Sequence, residues 1–598
     1  MNTATFDKFL TEARPQIVQI GYYGPQLHGY GDNPKAAGYP MHLTIKGTDN
    51  LLALYKKLNA RCHQLGLKVI GHFQIGKVIG NWDKQDDFID YYKNHWDEKL
   101  LGKKPVEDVR EVLERDSVGE PIDRDRTADV RYVGLCVSSP YCRQMLKQML
   151  KVAVDAGVDG IMVNFNYRWS CVCRHCQASF KEYLAKNYTA QQILQKFGIA
   201  DLSKQTFTKI DAEIPGFPDT NATAIDWEAR RWGAIQLKQA FDEVFIKYGR
   251  SLKSDLIIGT WNHIGNVGVK EERMFLPADL WGKDENYFWY SGIYEGTDFA
   301  KHQCGDGWLL SAYIREMANG KPHILGKYER IRMRLSIAEG VATGGGGMGR
   351  YQSYEEEAGY KYIVQYDRWL NANKELYWPK RSGAEVAIVL PRQAVLGGDQ
   401  NGYDSFRTVG QALAEKQILF DVIDDEKLSA ERLSKYVSVV VPNPASLTEG
   451  QRKMLAAYSV KHKLVITKNG SQLSATDAVR EIESVQQLSR INAPWTIRSS
   501  LWKQEDRVLL HLVNYLRDES GGKSRNKGAE DERPVLQQNI DIDLQLSPGE
   551  KVAMVTLLSP DGGAPVKLQF KQDKARLHFN VPEILVYSVV KIDLVKNH

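Results

Sequence analysis

Over roughly its first 375 residues the chain alternates short apolar runs with amphipathic stretches, and this alternation limits the folds open to it. Residues 17–20 (Ile-Val-Gln-Ile) predict a first strand and 67–71 a second, with 132–135 a third and 160–163 a fourth. A long helical region separates these from 256–259, 287–290 and 323–326, read as strands five to seven. The run Gly344–Gly347, fed by a helix over 332–342, lies close to an eighth. Eight strand–helix units predict a (β/α)8 TIM barrel over 1–380, with any active site at the C-terminal ends of the strands.

The period then changes. Residues 386–390, 418–423, 437–441 and 464–467 are buried-strand runs with helices between them, predicting a small flavodoxin-like α/β domain over 381–490. Its first strand is not followed by a GxGxxG turn, so neither a dinucleotide nor any other organic cofactor is expected. From 491 to 598 short strands separated by Gly and Pro turns predict a C-terminal β-sandwich. The stretch 518–534 is rich in charge and glycine and reads as a loop.

A net charge of +5 on 598 residues is no argument for a nucleic-acid partner. No apolar run approaches the roughly 18 residues that would span a bilayer, so no membrane partner is expected. Residues 1–10 are polar and lack a signal-peptide core. The chain as given therefore reads as cytoplasmic, or as periplasmic or secreted if a signal peptide was removed.

Of seven cysteines, three stand in Cys171-Val-Cys173-Arg-His-Cys176, just after the predicted fourth strand. Such clustering suits a metal site better than a disulfide framework. Three thiolates need a fourth ligand to close a structural zinc site. Cys136, at the end of the third strand, is the first candidate; Cys142 and His175 compete, and reduced cysteines packed in a loop are the plain alternative. Four thiolates leave no open coordination position, so such a zinc would hold the loop and do no chemistry.

Residues 131–141, with Cys136 before Ser138-Ser139-Pro140-Tyr141, resemble the strand-three segment of the family 42 glycoside hydrolases and of the related "hypothetical glycosyl hydrolase" barrels. Asp159-Gly160-Ile161 with the cysteine loop and Phe180-x-x-Tyr183-Leu184 is similar to their strand-four and zinc-loop signature. Residues 62–69 resemble their strand-two entry, residues 381–490 their β-galactosidase trimerisation domain, and Leu510-His511-Leu512-Val513-Asn514-Tyr515 their terminal sandwich. The resemblance implies a zinc-bearing barrel, glycosidase chemistry on a carbohydrate substrate, and a homo-oligomer, trimer or dimer. It also exposes a departure. Family 42 enzymes carry Asn-Glu after strand four, the Glu being general acid/base; residues 163–167 here read Val-Asn-Phe-Asn-Tyr, with no carboxylate.

Two carboxyl groups normally flank the bond broken in glycoside hydrolysis. Glu329, after strand seven beside Tyr328 and Arg330, sits where a retaining enzyme has its nucleophile. Glu295, after strand six among tyrosines, is the candidate general acid, its pKa raised by its surroundings; Asp306 is a weaker candidate. Each also reads plainly, Glu329 as an exposed partner of Arg330 and Glu295 as a turn residue. His72, Asn164, Asn166, Trp261, Asn262, His263 and Tyr328 are the expected substrate-binding groups, although a lone tryptophan or histidine is more often core. The Gly344–Gly347 run lacks the Lys-Ser/Thr of a phosphate loop and predicts a close approach of backbone. Three readings follow: an exo-acting glycosidase using Glu295 and Glu329, a barrel that binds carbohydrate without hydrolysing it, and a glycosidase whose acid is not a carboxylate.

Overall fold

The computed structural model describes residues 3–25, 48–127, 130–164, 166, 170–213, 219, 221–263, 273–291, 297–305, 307–327, 331–345, 348–350, 357–378, 380–467, 470–519 and 532–595. The chain divides into two compact units. One comprises 15–263 and 270–288; the other comprises 1–14, 264–269 and 289–598.

The first unit is built on parallel strands: β1 (Ile17–Tyr23), β2 (Lys68–Gln74), β6 (Gly160–Asn164) and β7 (Ile257–His263), hydrogen-bonded in that order. Val18 pairs with Val69, Ile70 with Gly160, and Gly160 with Ile257. After Lys68 every residue of β2 is buried, as is all of β6. Parallel strands covered on both faces take such continuous apolar sequences. Gly160 is required where it stands, since a Cβ there would lie 2.3 Å from the Ile257 carbonyl oxygen. Helices Thr48–Gln64, Pro140–Asp155 and Ala224–Phe241 connect these strands. Pro140 opens the second of them at a position where its missing N–H costs nothing.

The expected third barrel strand goes elsewhere. Val130–Gly134 (β5) pairs antiparallel with Lys77–Ile79 (β3) and Asp123–Thr127 (β4) in a separate three-stranded sheet. Its sequence explains this: Arg131 interrupts the apolar run and bonds Asp83 at 2.9 Å and Asp123 at 2.7 Å. A charged residue paired this way at the strand's start suits an antiparallel ribbon better than a barrel wall. Among the described residues β6 is therefore the third parallel strand and β7 the fourth.

Strand β8 (Tyr287–Ser291) begins in the first unit, where Tyr287 packs under Gly259, and ends in the second. There Trp289 lies against Gly326 of β9 (His323–Lys327), which pairs in parallel with β10 (Met348–Arg350). Among the described residues the first unit thus contributes the parallel strands β1, β2, β6 and β7, and the second the parallel pair β9 and β10. Gly344 has φ +96°, and a Cβ on it would lie 2.6 Å from the Trp502 ring. The close approach of backbone expected for this run is present at Gly344.

Further along the second unit, Arg381–Ser382 (β11) leads to a parallel sheet of β12 (Val386–Leu390), β13 (Phe420–Asp424), β14 (Ser438–Val440) and β15 (Lys463–Val465), ordered β13–β12–β14–β15. This is the doubly wound sheet expected from the sequence. Two antiparallel sheets follow. One joins β11, β17 (Ile497–Lys503), β18 (Arg507–Asn514), β24 (Tyr587–Leu594), β20 (Val552–Leu558) and β21 (Val566–Lys567). The other joins β16 (Arg490–Asn492), β19 (Gln537–Gln545), β23 (Arg576–Ile584) and β22 (Phe570–Asp573). Their shared core holds Leu510, Leu512, Ile542, Leu577 and Ile592, which supports a sandwich. Among the described residues no helix is long and apolar enough to cross a membrane.

Candidate functional site

Cys136 follows β5, and Cys173 is the N-cap of helix Arg174–Asn187, which places Cys176 in its first turn. The Cys136 sulfur stands 3.6 Å from those of Cys173 and Cys176 and 3.8 Å from that of Cys171. All four sulfurs lie within 4.8 Å of one another and are buried. Thiolates bound at the zinc–sulfur distance of about 2.3 Å in a tetrahedron would stand roughly 3.8 Å apart, so the set fits such an ion. Phe180, Phe207, Leu184 and Trp232 pack around it. Cys142, buried in its own helix, is not part of the group. Nor is His175, which faces Glu111 at 3.3 Å.

Sequence reading missed Arg115. Its backbone N–H donates to the Cys171 sulfur at 3.3 Å. Its guanidinium bonds Glu111 at 3.0 Å and lies close enough to Cys173 for that thiol to raise the arginine's pKa against the opposing effect of burial. Hydrogen bonds from the other sulfurs, Cys136 first, hold the Cys173 thiol far below its ordinary range, while the same crowding pushes Cys136 up. A cluster that binds a cation as thiolates benefits from such a counter-charge.

The strand ends of the first unit gather a second constellation. His72, on β2, is 2% exposed, and neither of its ring nitrogens has a hydrogen-bond partner among the described residues. Burial, and then the nearby His263, hold its pKa down to about 3, so the imidazole is neutral. It stacks on Trp261 with centroids 5.3 Å apart and planes at 26°, and the Tyr22 ring meets it edge-on at 4.7 Å. Trp261 in turn stacks on His263 at 6.1 Å. Asn166 locks the neighbouring strand end: its Nδ2 donates to Val163 O at 3.1 Å, Thr260 Oγ1 at 3.0 Å and Trp261 O at 3.2 Å. Thr260 donates its hydroxyl proton to Asn262 Oδ1 at 3.3 Å, and Asn262 Nδ2 has no partner among the described residues. Asn164 is buried at the end of β6, opposite Gln74.

The structure therefore brings His72, Trp261 and His263 together with Tyr22, and joins Asn166 and Asn262 through Thr260 in a second set. Tyr22 was detectable as an aromatic residue at the end of the first predicted strand. Asn166 has its amide nitrogen committed to holding β7. Glu295, Tyr328, Glu329, Arg330 and Asp306 lie outside the described residues.

No family model matches this chain, and no curated protein matches it in sequence. Solved structures do. Alpha-L-fucosidase isoenzyme 2 from Paenibacillus thiaminolyticus superimposes with a TM-score of 0.61 at 15% identity, covering 100% of this chain and 97% of the fucosidase. The β-galactosidase of Bacillus circulans sp. alkalophilus gives 0.61 at 12% identity, over 99% and 97% of the two chains. A GH42 β-galactosidase from G. stearothermophilus gives 0.61 at 10% identity, over 99% and 96%. The chain has the fold of the family 42 β-galactosidases, a TIM barrel followed by further α/β and β domains.

Proposed function

We propose that this chain is a glycoside hydrolase that takes its carbohydrate at the C-terminal ends of the parallel strands. The observation that carries this reading is the His72–Trp261 stack. A neutral imidazole offers one donor and one acceptor, which is what a sugar hydroxyl requires. A buried imidazole whose nitrogens meet no partner among the described residues leaves both for a ligand. Fold likeness to a fucosidase and to β-galactosidases supports the same chemistry. In this reading Glu329 is the nucleophile or base and Glu295 the general acid, and the enzyme is exo-acting. Asn164, Asn262 and His263 bind hydroxyls beside His72. Zinc held by Cys136, Cys171, Cys173 and Cys176 fixes the loop after β6, and the protein is a homo-oligomer.

One observation favours a second reading. The described ends of β1, β2, β6 and β7 carry Tyr22, His72, Gln74, Asn164, Asn166, Trp261, Asn262 and His263, with no carboxylate among them. The place where the family 42 resemblance expects Asn-Glu, ahead of the cysteine loop, holds Asn164 and Asn166 and no carboxylate. Such a barrel binds sugar without cutting it, or uses His263 as its acid. A panel of 4-nitrophenyl glycosides assayed for turnover, with calorimetry on oligosaccharides, separates these readings. Binding without turnover of any glycoside rejects the hydrolase.

A further inference from the structure

The second unit holds a cavity that the chemistry above does not use. It lies among β17, helix Gly307–Met317, the end of helix Met333–Ala342 and the start of β13, and its wall includes Arg315, Thr343, Ser382, Arg498, Ser500 and Trp502. Arg498 is 1% exposed. Its Nη2 donates to Cys304 O at 2.7 Å, and its Nη1 donates to Trp495 O and, at 3.3 Å, to Ile497 O. All three acceptors are neutral carbonyls. Nε has no partner, and no carboxylate pairs with this guanidinium among the described residues. A charge withdrawn from water to this degree calls for an opposite charge beside it.

The surroundings deepen the imbalance. Arg315 bonds Asp421 at 3.1 Å and stands 5.1 Å from the Trp502 ring. Lys380 approaches the same ring at 4.5 Å and has no carboxylate partner among the described residues. Among the described residues the cavity wall and the Trp502 indole thus gather three basic side chains, Arg498, Arg315 and Lys380, beside the one carboxylate of Asp421. Neighbouring groups register this field: burial first, and then Arg315, pull Lys380 down to about 7, and Arg315 and Lys380 add to burial in holding His323 down to about 3. The hydroxyls add a donor. Ser382 Oγ accepts from Ala384 N at 3.1 Å, which leaves its own proton to give. A water molecule would satisfy Nε and leave the charge unmatched. A guanidinium and a hydroxyl both direct N–H and O–H groups at oxygen acceptors.

We propose that this cavity is a binding site for a small oxyanion, held by Arg498 with Arg315 and Ser382 in its wall. Phosphate, sulfate and a simple carboxylate share this chemistry. The site is independent of carbohydrate binding, and its test does not depend on the hydrolase reading.

The full-length protein is titrated with potassium phosphate, sodium sulfate and sodium acetate, each at an ionic strength matched with chloride, and followed by thermal unfolding and calorimetry. At least one of the three should raise the melting temperature saturably, by roughly 2 °C or more over chloride, with one anion bound per chain. Arg498→Gln should abolish the shift. Should that variant not fold, Ser382→Ala and Lys380→Met keep the guanidinium and should weaken binding several-fold. Crystals grown in selenate, an anomalous scatterer shaped like sulfate, should show a peak beside Arg498 Nε. The proposal fails if all three oxyanions behave as chloride does, if stabilisation is unchanged in the variants, or if selenate scatters elsewhere in the crystal and not in this cavity.

Discussion

The His72 imidazole and the Trp261 indole stack with their centroids 5.3 Å apart, joining β2 to β7 through two side chains whose strands are separated in the sheet by β6. The pair is buried on both sides, and the imidazole is kept uncharged by that burial. A cationic histidine here would repel His263 and would have no donor-free face left to accept from a ligand. Neutrality is thus a property of the fold, and it has a cost in acid.

The folded pKa of His72, about 3, lies below the ordinary 6.5. Between those values the unfolded chain binds a proton that the native chain does not. The stability contributed is therefore complete above pH 6.5 and is lost as the pH falls toward about 3. His323, also held at about 3, adds in the same window. Each such group contributes a slope of up to about 1.4 kcal/mol per pH unit. Denaturant unfolding between pH 7 and 4 should show this decline, and His72→Gln should reduce its slope by up to one proton. A slope identical in the variant would place the proton elsewhere.

For the cysteine cluster, freshly purified protein should contain one equivalent of zinc per chain. Cys173→Ser should lose it and melt several degrees lower, since the loop after β6 and the helix Arg174–Asn187 depend on the same four sulfurs. Elemental analysis far below one equivalent in unchelated protein counts against a metal.

Arg115 permits a sharper test. Its backbone and its guanidinium address two different sulfurs. Arg115→Ala keeps the first contact and deletes the second, and should speed metal transfer to a chelator by roughly 10-fold or more, the scale on which outer-shell partners act. Arg115→Lys should recover part of the loss, and the sulfur-to-metal bands of the cobalt-substituted protein should shift in the alanine variant. Unaltered bands and unaltered release rates would reduce Arg115 to a packing role.

Much of this was legible in the sequence, and the failures have physical causes. Strands such as 160–163 and 386–390 were readable because a strand buried on both faces must be an unbroken apolar run. The strand at 132–135 was equally readable, but its partner was not: apolar content says that a strand is buried and says little of which sheet holds it, and Arg131 was the overlooked signal. Cys136 was identified because thiol ligands have few alternatives. Arg115 was not, because an arginine near an acid four residues back looks like any solvated pair until a sulfur is found beside it. Asn166, an expected substrate-binding group, has its amide nitrogen bonded to Val163 O, Thr260 Oγ1 and Trp261 O, a set of long-range partners that no sequence spacing shows.

Oligomerisation rests on the resemblance of residues 381–490 to a trimerisation domain. Light scattering at micromolar concentration should give a mass two or three times 67.8 kDa. A single species at 67.8 kDa removes the expectation.

The last prediction concerns the two carboxylates of the hydrolase reading. If Glu329 attacks or activates and Glu295 protonates the leaving group, their substitutions must differ in kind. Glu329→Gln should cut turnover by orders of magnitude on every substrate while binding survives, because no leaving group compensates for a lost nucleophile or base. Glu295→Gln should cost least on 4-nitrophenyl glycosides, whose leaving group departs with little help from an acid, and most on the natural glycoside. His263→Gln supplies the contrast. As a binding group it should raise KM and leave the pH profile in place; as the acid it should remove the alkaline limb of the profile. The stereochemistry of the product, followed by NMR at the anomeric proton, then reports the carboxyl separation, retention for about 5–5.5 Å and inversion for about 6.5–9.5 Å. Near-normal turnover in Glu329→Gln, with the alkaline limb lost in His263→Gln, would transfer the chemistry from the carboxylate pair to the histidine at the end of β7.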